Sequence, residues 1–430
     1  MSARRLESSF PLIEFTSSTG SQDRLSGEIR GSRLTLKLDA LRARSTEDVR
    51  RLRAPEGYLR AGAPRYATLF GRDSLISALQ MLDIDPTIAA ATLRILASFQ
   101  GRGEDRESEE QPGKILHEHR FDAASRLELP SWKFPYYGSV DSTPLFLIVG
   151  DAYLRKTADS QLARELWGAF RSAHEWMARY GDSDHDGYLE YERTNPSGLF
   201  HQGWKDGSND HLRISPPVAL VEVQGYAYAA HRAFASLAQA QGDTVDAAAA
   251  RDAAEHLRER INEDFWLEDQ GFFALALDGT KRPRRAATSN PAHLLLCGVV
   301  EPRRLDRMVS RLFSSDLWTP FGVRTHASTE PDFDPLSYHL GSVWPHDNWF
   351  LYRGLLAAGR EAEAQRVRDA LLIARDALGK IPEFYGVIDD QIIDLSRETR
   401  GRPQANPLQA WASAGLLDMI SRHPDADVSP

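Results

Sequence analysis

The stretch "LFGRDS", residues 69–74, marks the point where the sequence changes character. Downstream of it, apolar residues recur at helical spacing almost to the end of the chain. Periodic segments are read near 73–84, 86–99, 141–156, 160–180, 217–240, 243–262, 288–299, 301–313, 343–359, 360–379 and 404–420. Most carry a start signal, such as Asp73, Asp141 and Pro217, or Pro291 and Pro407 in a first turn. They fall into consecutive pairs, and the first helix of each pair starts near 73, 141, 217, 288, 343 and 404. A period of roughly sixty to seventy residues is too long for a common helical repeat but suits six helical hairpins closed into a ring. A weaker segment, "RARSTEDVRRL" at 43–53, supplies a twelfth helix. The expected fold is all-α, an (α/α)6 toroid. An open helical solenoid is the alternative, but it predicts similar sequences in each pair, and little such similarity is present.

Like "LFGRDS", each first helix opens on a polar or aromatic motif. These are "PYYGSVDS" (135–142), "GWKDGSND" with "VEVQGY" (203–226), "ATSNPAH" (287–293), "YHLGSVWPHDN" (338–348) and "RPQANPLQAW" (402–411). In a ring of hairpins these starts share one end, so the motifs converge on one pocket. The first sixty residues read differently. "FPLIEF", "LSGEIRG" and "SRLTLKLDAL" alternate apolar and polar residues, which predicts a short β-rich lead-in over 1–60 before a catalytic domain over 61–430.

Composition excludes several classes. The chain has 430 residues, 42% of them hydrophobic, and a formal net charge of −9. That balance argues against nucleic-acid binding, which needs clustered positive charge. The basic N-terminus is not followed by an apolar h-region, and the longest apolar run, "TPLFLIVG" at 143–150, is too short to span a bilayer. The single cysteine, Cys297, leaves no internal disulfide and no zinc cluster. The expectation is a soluble cytoplasmic protein with no membrane partner. Nine tryptophans, 13 tyrosines and 18 phenylalanines include several in polar loops, such as Trp132, Tyr136, Tyr137, Trp204, Trp344 and Tyr385. Such rings either cap a core or stack on the apolar faces of sugars.

A loop-rich cleft with carboxylates and aromatics suggests acid–base chemistry on a polar substrate. Glycoside hydrolysis needs two carboxyl groups flanking the scissile bond. Asp206 is the first candidate, because Trp204 two residues earlier can shield it from water. Asp210, in the same loop, reads equally as a turn cap, and Lys205 as a substrate contact or a paired loop charge. Glu383, between Pro382 and Phe384, is the second candidate and reads alternatively as a turn residue. Arg72 and Asp73 form either a structural ion pair with a helix cap or a pair binding neighbouring hydroxyls. "DSDHDGYLE" (182–190) mimics the start of a calcium loop, but Arg193 stands where an EF-hand needs glutamate. No phosphate-binding glycine loop, GxSxG elbow or HExxH helix is present. Neither a metal nor a cofactor is predicted.

Taken together, these motifs resemble the glucosidase part of amylo-α-1,6-glucosidase (glycogen-debranching-like) proteins, among the inverting six-hairpin glycosidases. The matching stretches are "ATLFGRDSLI" (67–76), "PYYGSVDSTPLF" (135–146), "DHDGYLEYER" (184–193), "QGWKDGSND" (202–210), "EVQGYAYAA" (222–230), "GVRT" (322–325), "YHLGSVWPHDN" (338–348), "IPEFYG" (381–386) and "PQANPLQAWASAG" (403–415). The resemblance implies that Asp206 is the general acid and Glu383 the general base. It places Arg72 and Asp73 on the non-reducing-end sugar. Tyr137, Asp141, Gln202, Trp204, Lys205, Glu222, Gln224, Trp344 and His346 join them as expected substrate contacts. The implied activity is an exo-acting, inverting α-glucosidase on α-1,6-linked or other α-gluco-oligosaccharides. The lead-in is short for the family and no transferase half is visible. Small glucosides of the trehalose or glucosylglycerate type therefore stand as alternative substrates. Two rivals remain: a sugar epimerase or lyase using His201, His339 and His346, and a catalytically silent sugar-binding protein. The oligomeric state is not legible.

Overall fold

The computed structural model describes residues 27–397 and 401–422. Among these residues the chain forms fourteen α-helices and a set of two- and three-residue strands. The helices are α1 (Gly27–Leu52), α2 (Gly71–Met81), α3 (Pro86–Ser98), α4 (Ala123–Arg126), α5 (Ser142–Thr157), α6 (Ser160–Glu165) and α7 (Trp167–Arg179), followed by α8 (Val221–Ala240) and α9 (Thr244–Asp264). The remainder are α10 (His293–Cys297), α11 (Pro302–Leu312), α12 (Pro345–Ala357), α13 (Glu361–Leu378) and α14 (Ala410–Arg422).

Two kinds of helix alternate. α2, α5, α8, α12 and α14 are buried along most of their length; every residue of α14 from Ala410 to Ile420 is enclosed. Helices apolar on all sides belong in a core. α9 and α11 bury only one stripe, whereas α13 is enclosed on every side from Val367 to Leu372. Local chemistry sets the ends. Asp85 caps α3 by accepting from Thr87 N, with Pro86 in the first turn, and Asp243 caps α9 through Asp246 N. Gly379 ends α13 in the left-handed conformation at φ 69°.

The buried helices touch in cyclic order: α2 with α5, α5 with α8, α8 with α10, α10 with α12, α12 with α14, and α14 back to α2. Their outer partners follow in sequence, α3 on α2, α7 on α5, α9 on α8 and α13 on α12. This order of contacts is consistent with the expected ring of six hairpins. The N-termini of the inner helices meet at one end. Arg72 of α2 reaches Asp141 at the start of α5, and Gln409 before α14 reaches Asp73.

The strand expectation for the lead-in is corrected. Residues 32–41 lie inside α1, not in a strand, and α1 packs on α14 as the twelfth helix. Its buried positions Leu38, Leu41, Ser45, Val49 and Leu52 are spaced three and four apart, so a helical stripe overrides the local alternation. "FPLIEF" lies outside the described residues. Among the described residues, no helix is long and apolar enough to cross a membrane.

Candidate active site

At the end where the inner helices begin, a cleft of about 240 Å3 opens between the loops. Arg72, Asp73, Trp204, Asp206, Trp344 and Glu383 all line it, although they span more than three hundred positions of sequence. Arg72 and Asp73 sit in the first turn of α2. The chain enters that turn through a short strand, Leu69–Phe70, paired with Glu118–His119. Gly71 is required there: a Cβ would lie 2.0 Å from the Leu116 carbonyl oxygen. The first turn of α2 has no side-chain cap, so Asp73 is not the helix cap that one reading of "GRDS" allowed.

Charge in the cleft is arranged around Arg72. Its Nε donates to Asp141 Oδ2 at 2.7 Å and its Nη1 to Asp206 Oδ2 at 2.9 Å, while Nη2 reaches the Gln202 carbonyl at 3.4 Å. Asp141 is fully enclosed, whereas the Asp206 side chain is 25% exposed to the cleft. Burial raises the Asp206 carboxyl above its ordinary pKa, against the pull of Arg72. Glu383 is held from both sides: Tyr338 Oη donates to Oε1 at 2.6 Å and the Asn406 backbone N–H to Oε2 at 2.9 Å. Burial nevertheless pushes Glu383 up to about 7. Burial likewise lifts Asp73 to about 8, with Arg72 opposing, and Glu118 to about 7, with Arg120 opposing. Carboxyl groups poised near neutrality in a cleft are what acid–base catalysis uses.

Several expected substrate contacts do not line the cleft; they hold its walls. Tyr137 turns away and donates to the Phe99 carbonyl at 2.7 Å. Asp141 lies behind Arg72 as its buried counter-ion. Gln202 donates to Glu109, and Lys205 Nζ donates to the Thr325 carbonyl at 2.6 Å beneath the loop. Glu222 is completely buried at the start of α8, and Gln224 ties down both the N–H and the carbonyl of Leu189. His346 is enclosed and stacks on Trp411 with ring centroids 3.9 Å apart. A polar side chain in a motif can support the loop as well as face the ligand, and here burial separates the two. Asp210 also falls outside the cleft. It accepts from His201 Nε2 and from Ile214 N, which is a turn-holding role. His201, His339 and His346 are buried and do not line the cleft; His339 and His346 stand behind its Trp344 and Trp411 wall.

Sequence reasoning missed one wall entirely. His117, Glu118 and Arg120, from "ILHEHR" (115–120), line the cleft, as do Tyr66, Tyr338, Gln409 and Trp411. The available signal was a buried-strand alternation carrying a glutamate and an arginine two residues apart, an unusual pair to enclose. Of two acidic groups spaced to hold an ion, Asp184 and Asp186 of the first already pair with Lys281 while Asp182 accepts from the Asp186 and Gly187 backbone N–H groups, and Asp332 of the His326–Glu330–Asp332 group accepts from His326 and Arg284.

Comparison with known proteins fits this geometry. The fold is shared with the GH63 mannosylglycerate hydrolase of Thermus thermophilus. Its structure with Tris and D-glycerate covers 89% of this chain and 100% of that chain at TM-score 0.66 and 16% identity, and its complex with glucose aligns equally well at 17% identity. A curated mannosylglycerate hydrolase from Rubrobacter radiotolerans is 30% identical over 196 residues, 44% of this chain and 41% of that enzyme's length. Most of the chain is a glycoside hydrolase domain. Residues 66–386 match the mannosylglycerate hydrolase MGH1-like glycoside hydrolase domain, and the chain belongs to that family. The glycogen-debranching resemblance is thereby corrected to a related family.

Proposed function

We propose that the protein is an (α/α)6-toroid glycosidase that hydrolyses a small glycoside with an acidic aglycone, of the glycosylglycerate type. This takes up the smaller-substrate alternative in preference to branched α-gluco-oligosaccharides. The observation that carries it is the convergence of Asp206 and Glu383 on one narrow cleft. At about 240 Å3 the cleft is smaller than the roughly 300–1,000 Å3 of drug-sized sites, which suits a short glycoside. The relatives named as mannosylglycerate hydrolases support the acidic aglycone.

In this reading Asp206 protonates the glycosidic oxygen, and Glu383 takes a proton from the water that attacks the anomeric carbon from the opposite face. Asp141 neutralises Arg72 from behind, so the guanidinium does not hold Asp206 fully ionised. Tyr338 and Asn406 fix the plane of the Glu383 carboxylate. Asp73 binds sugar hydroxyls, with Trp204, Trp344 and Trp411 as walls. For inversion, the carboxyls must stand about 6.5–9.5 Å apart to admit water.

The test is product analysis on glucosylglycerate, mannosylglycerate, trehalose, isomaltose and a branched dextrin, with the released anomer followed by NMR. Free hexose of inverted configuration, from a glycosylglycerate first, is the expected result. Release from branched dextrin alone, or an isomerised sugar, would overturn the reading.

A further inference from the structure

Two arginines line the cleft, and only one of them has all three of its side-chain nitrogens hydrogen-bonded. Arg72 gives Nε, Nη1 and Nη2 to Asp141, Asp206 and the Gln202 carbonyl. Arg120 gives Nε to Glu118 and Nη1 to the Ser125 carbonyl and Glu128 Oε2, the latter at 2.7 Å. Its Nη2 has no hydrogen-bond partner among the described residues. The two partners differ sharply in setting. Glu118 is 3% exposed and fixed in the wall; Glu128 is 68% exposed, on the surface segment that follows. An ion pair to a side chain so open to water is held weakly.

We propose that Arg120 anchors the carboxylate of the substrate's aglycone, and that Glu128 occupies that position when the cleft is free. The inference rests on the acidic-aglycone reading above. The Nη1–Nη2 edge of a guanidinium matches a carboxylate with two parallel hydrogen bonds. One donor on that edge is open and the other is lent to an exposed surface acid, so the incoming carboxylate gains a second bond. The exchange replaces one carboxylate by another, and the charge around Arg120 is unchanged. That matters because Asp73, Glu118, Asp206 and Glu383 border the same cleft. An anion entering without a cation to receive it would be repelled. The segment carrying Glu128 also supplies Leu129 and Trp132 to the wall, so releasing Glu128 couples aglycone binding to that wall.

The experiment compares Arg120→Gln, Arg120→Lys and Glu128→Gln with the unmodified protein on a glycosylglycerate and on the matching neutral glycosylglycerol. Arg120→Gln is expected to raise KM for the glycerate compound about ten- to a hundredfold, the range of a charge-assisted hydrogen bond, with little change for glycosylglycerol. Arg120→Lys should recover part of the loss, and Glu128→Gln should lower KM for the glycerate compound alone. An equal loss on both substrates, or no response to Glu128→Gln, overturns the proposal. Titration with D-glycerate by calorimetry separates this failure from that of the parent reading. Glycerate bound through Arg120 without hydrolysis would refute the hydrolase reading and keep the anchor. Hydrolysis with glycerate binding indifferent to Arg120 would do the reverse.

Discussion

Arg72 and Asp206 are 134 positions apart in the chain, and their side chains meet at 2.9 Å. Nothing local brings them together; the first turn of α2 and the loop before α8 must arrive at the same end of the inner helices. Arg72 is shared with Asp141, so Asp206 keeps one carboxylate oxygen, Oδ1, outside that pair. A proton donor needs such a free oxygen.

Asp206→Asn and Glu383→Gln are each expected to reduce kcat by about a hundred- to ten-thousandfold, the usual worth of general acid or base assistance. The folds should survive, since both groups face the cleft. Asp210→Asn is the control. It bonds His201 and Ile214 N outside the cleft, so it should alter the thermal midpoint and leave kcat nearly unchanged. A large kcat loss at Asp210 with little at Asp206 would identify the wrong aspartate.

Glu383 must be ionised to act as base, and it is raised to about 7. Activity should therefore climb with pH through about 7. The Tyr338 hydroxyl donates to the carboxylate and favours its charged form. Tyr338→Phe removes that donor, so the rising limb should move to higher pH, with the largest loss at pH 6–7 and partial recovery by pH 8–9. A uniform loss across the profile would give Tyr338 a packing role only.

The "DSDHDG" loop already contains its cation. Lys281 Nζ lies 3.0 Å from Asp184 and 2.9 Å from Asp186, and also bonds Glu190. Calcium or a chelator should leave the thermal midpoint of the protein where it is. Lys281→Met leaves several carboxylates facing one another without a counter-charge, and should lower that midpoint by several degrees. A rise in the midpoint of the unmodified protein with millimolar calcium would refute this assignment.

The helices were legible because their apolar runs are bounded by prolines, glycines and, on outer helices, the capping aspartates Asp85 and Asp243. The catalytic candidates were legible because "GRDS", "WKD" and "IPE" put charge where loops rarely need it. What stayed hidden depends on tertiary packing. "SRLTLKLDAL" alternates like a strand, yet it lies in α1, the helix that packs on α14. Lys205, Gln202 and Glu222 are polar like Asp206, and only the fold decides which of them lines the cleft. Glu118 and Arg120 were passed over because two charges in a short alternating segment look like solvated positions until the strand pairing with Leu69–Phe70 encloses them.

Asp73 offers a test in which stability and activity move in opposite directions. Its carboxyl is buried in the first turn of α2, accepts from Gln409 Nε2 at 3.1 Å, and is raised from 3.8 to about 8. Between these values the folded protein keeps a proton that the unfolded chain has released. Stability therefore falls as pH rises through that window, and the full penalty is present above about pH 8. Asparagine keeps an oxygen for Gln409 and has no charge to bury. Asp73→Asn should match the unmodified thermal midpoint near pH 4 and exceed it increasingly toward pH 8–9. Over the same range kcat/KM should fall by tenfold or more, because a misplaced sugar loses the orientation advantage of the site. A midpoint lowered equally at every pH would mean that Asp73 is an ionised partner of Arg72, held for structure. Unchanged kcat/KM would remove it from the sugar-binding wall altogether.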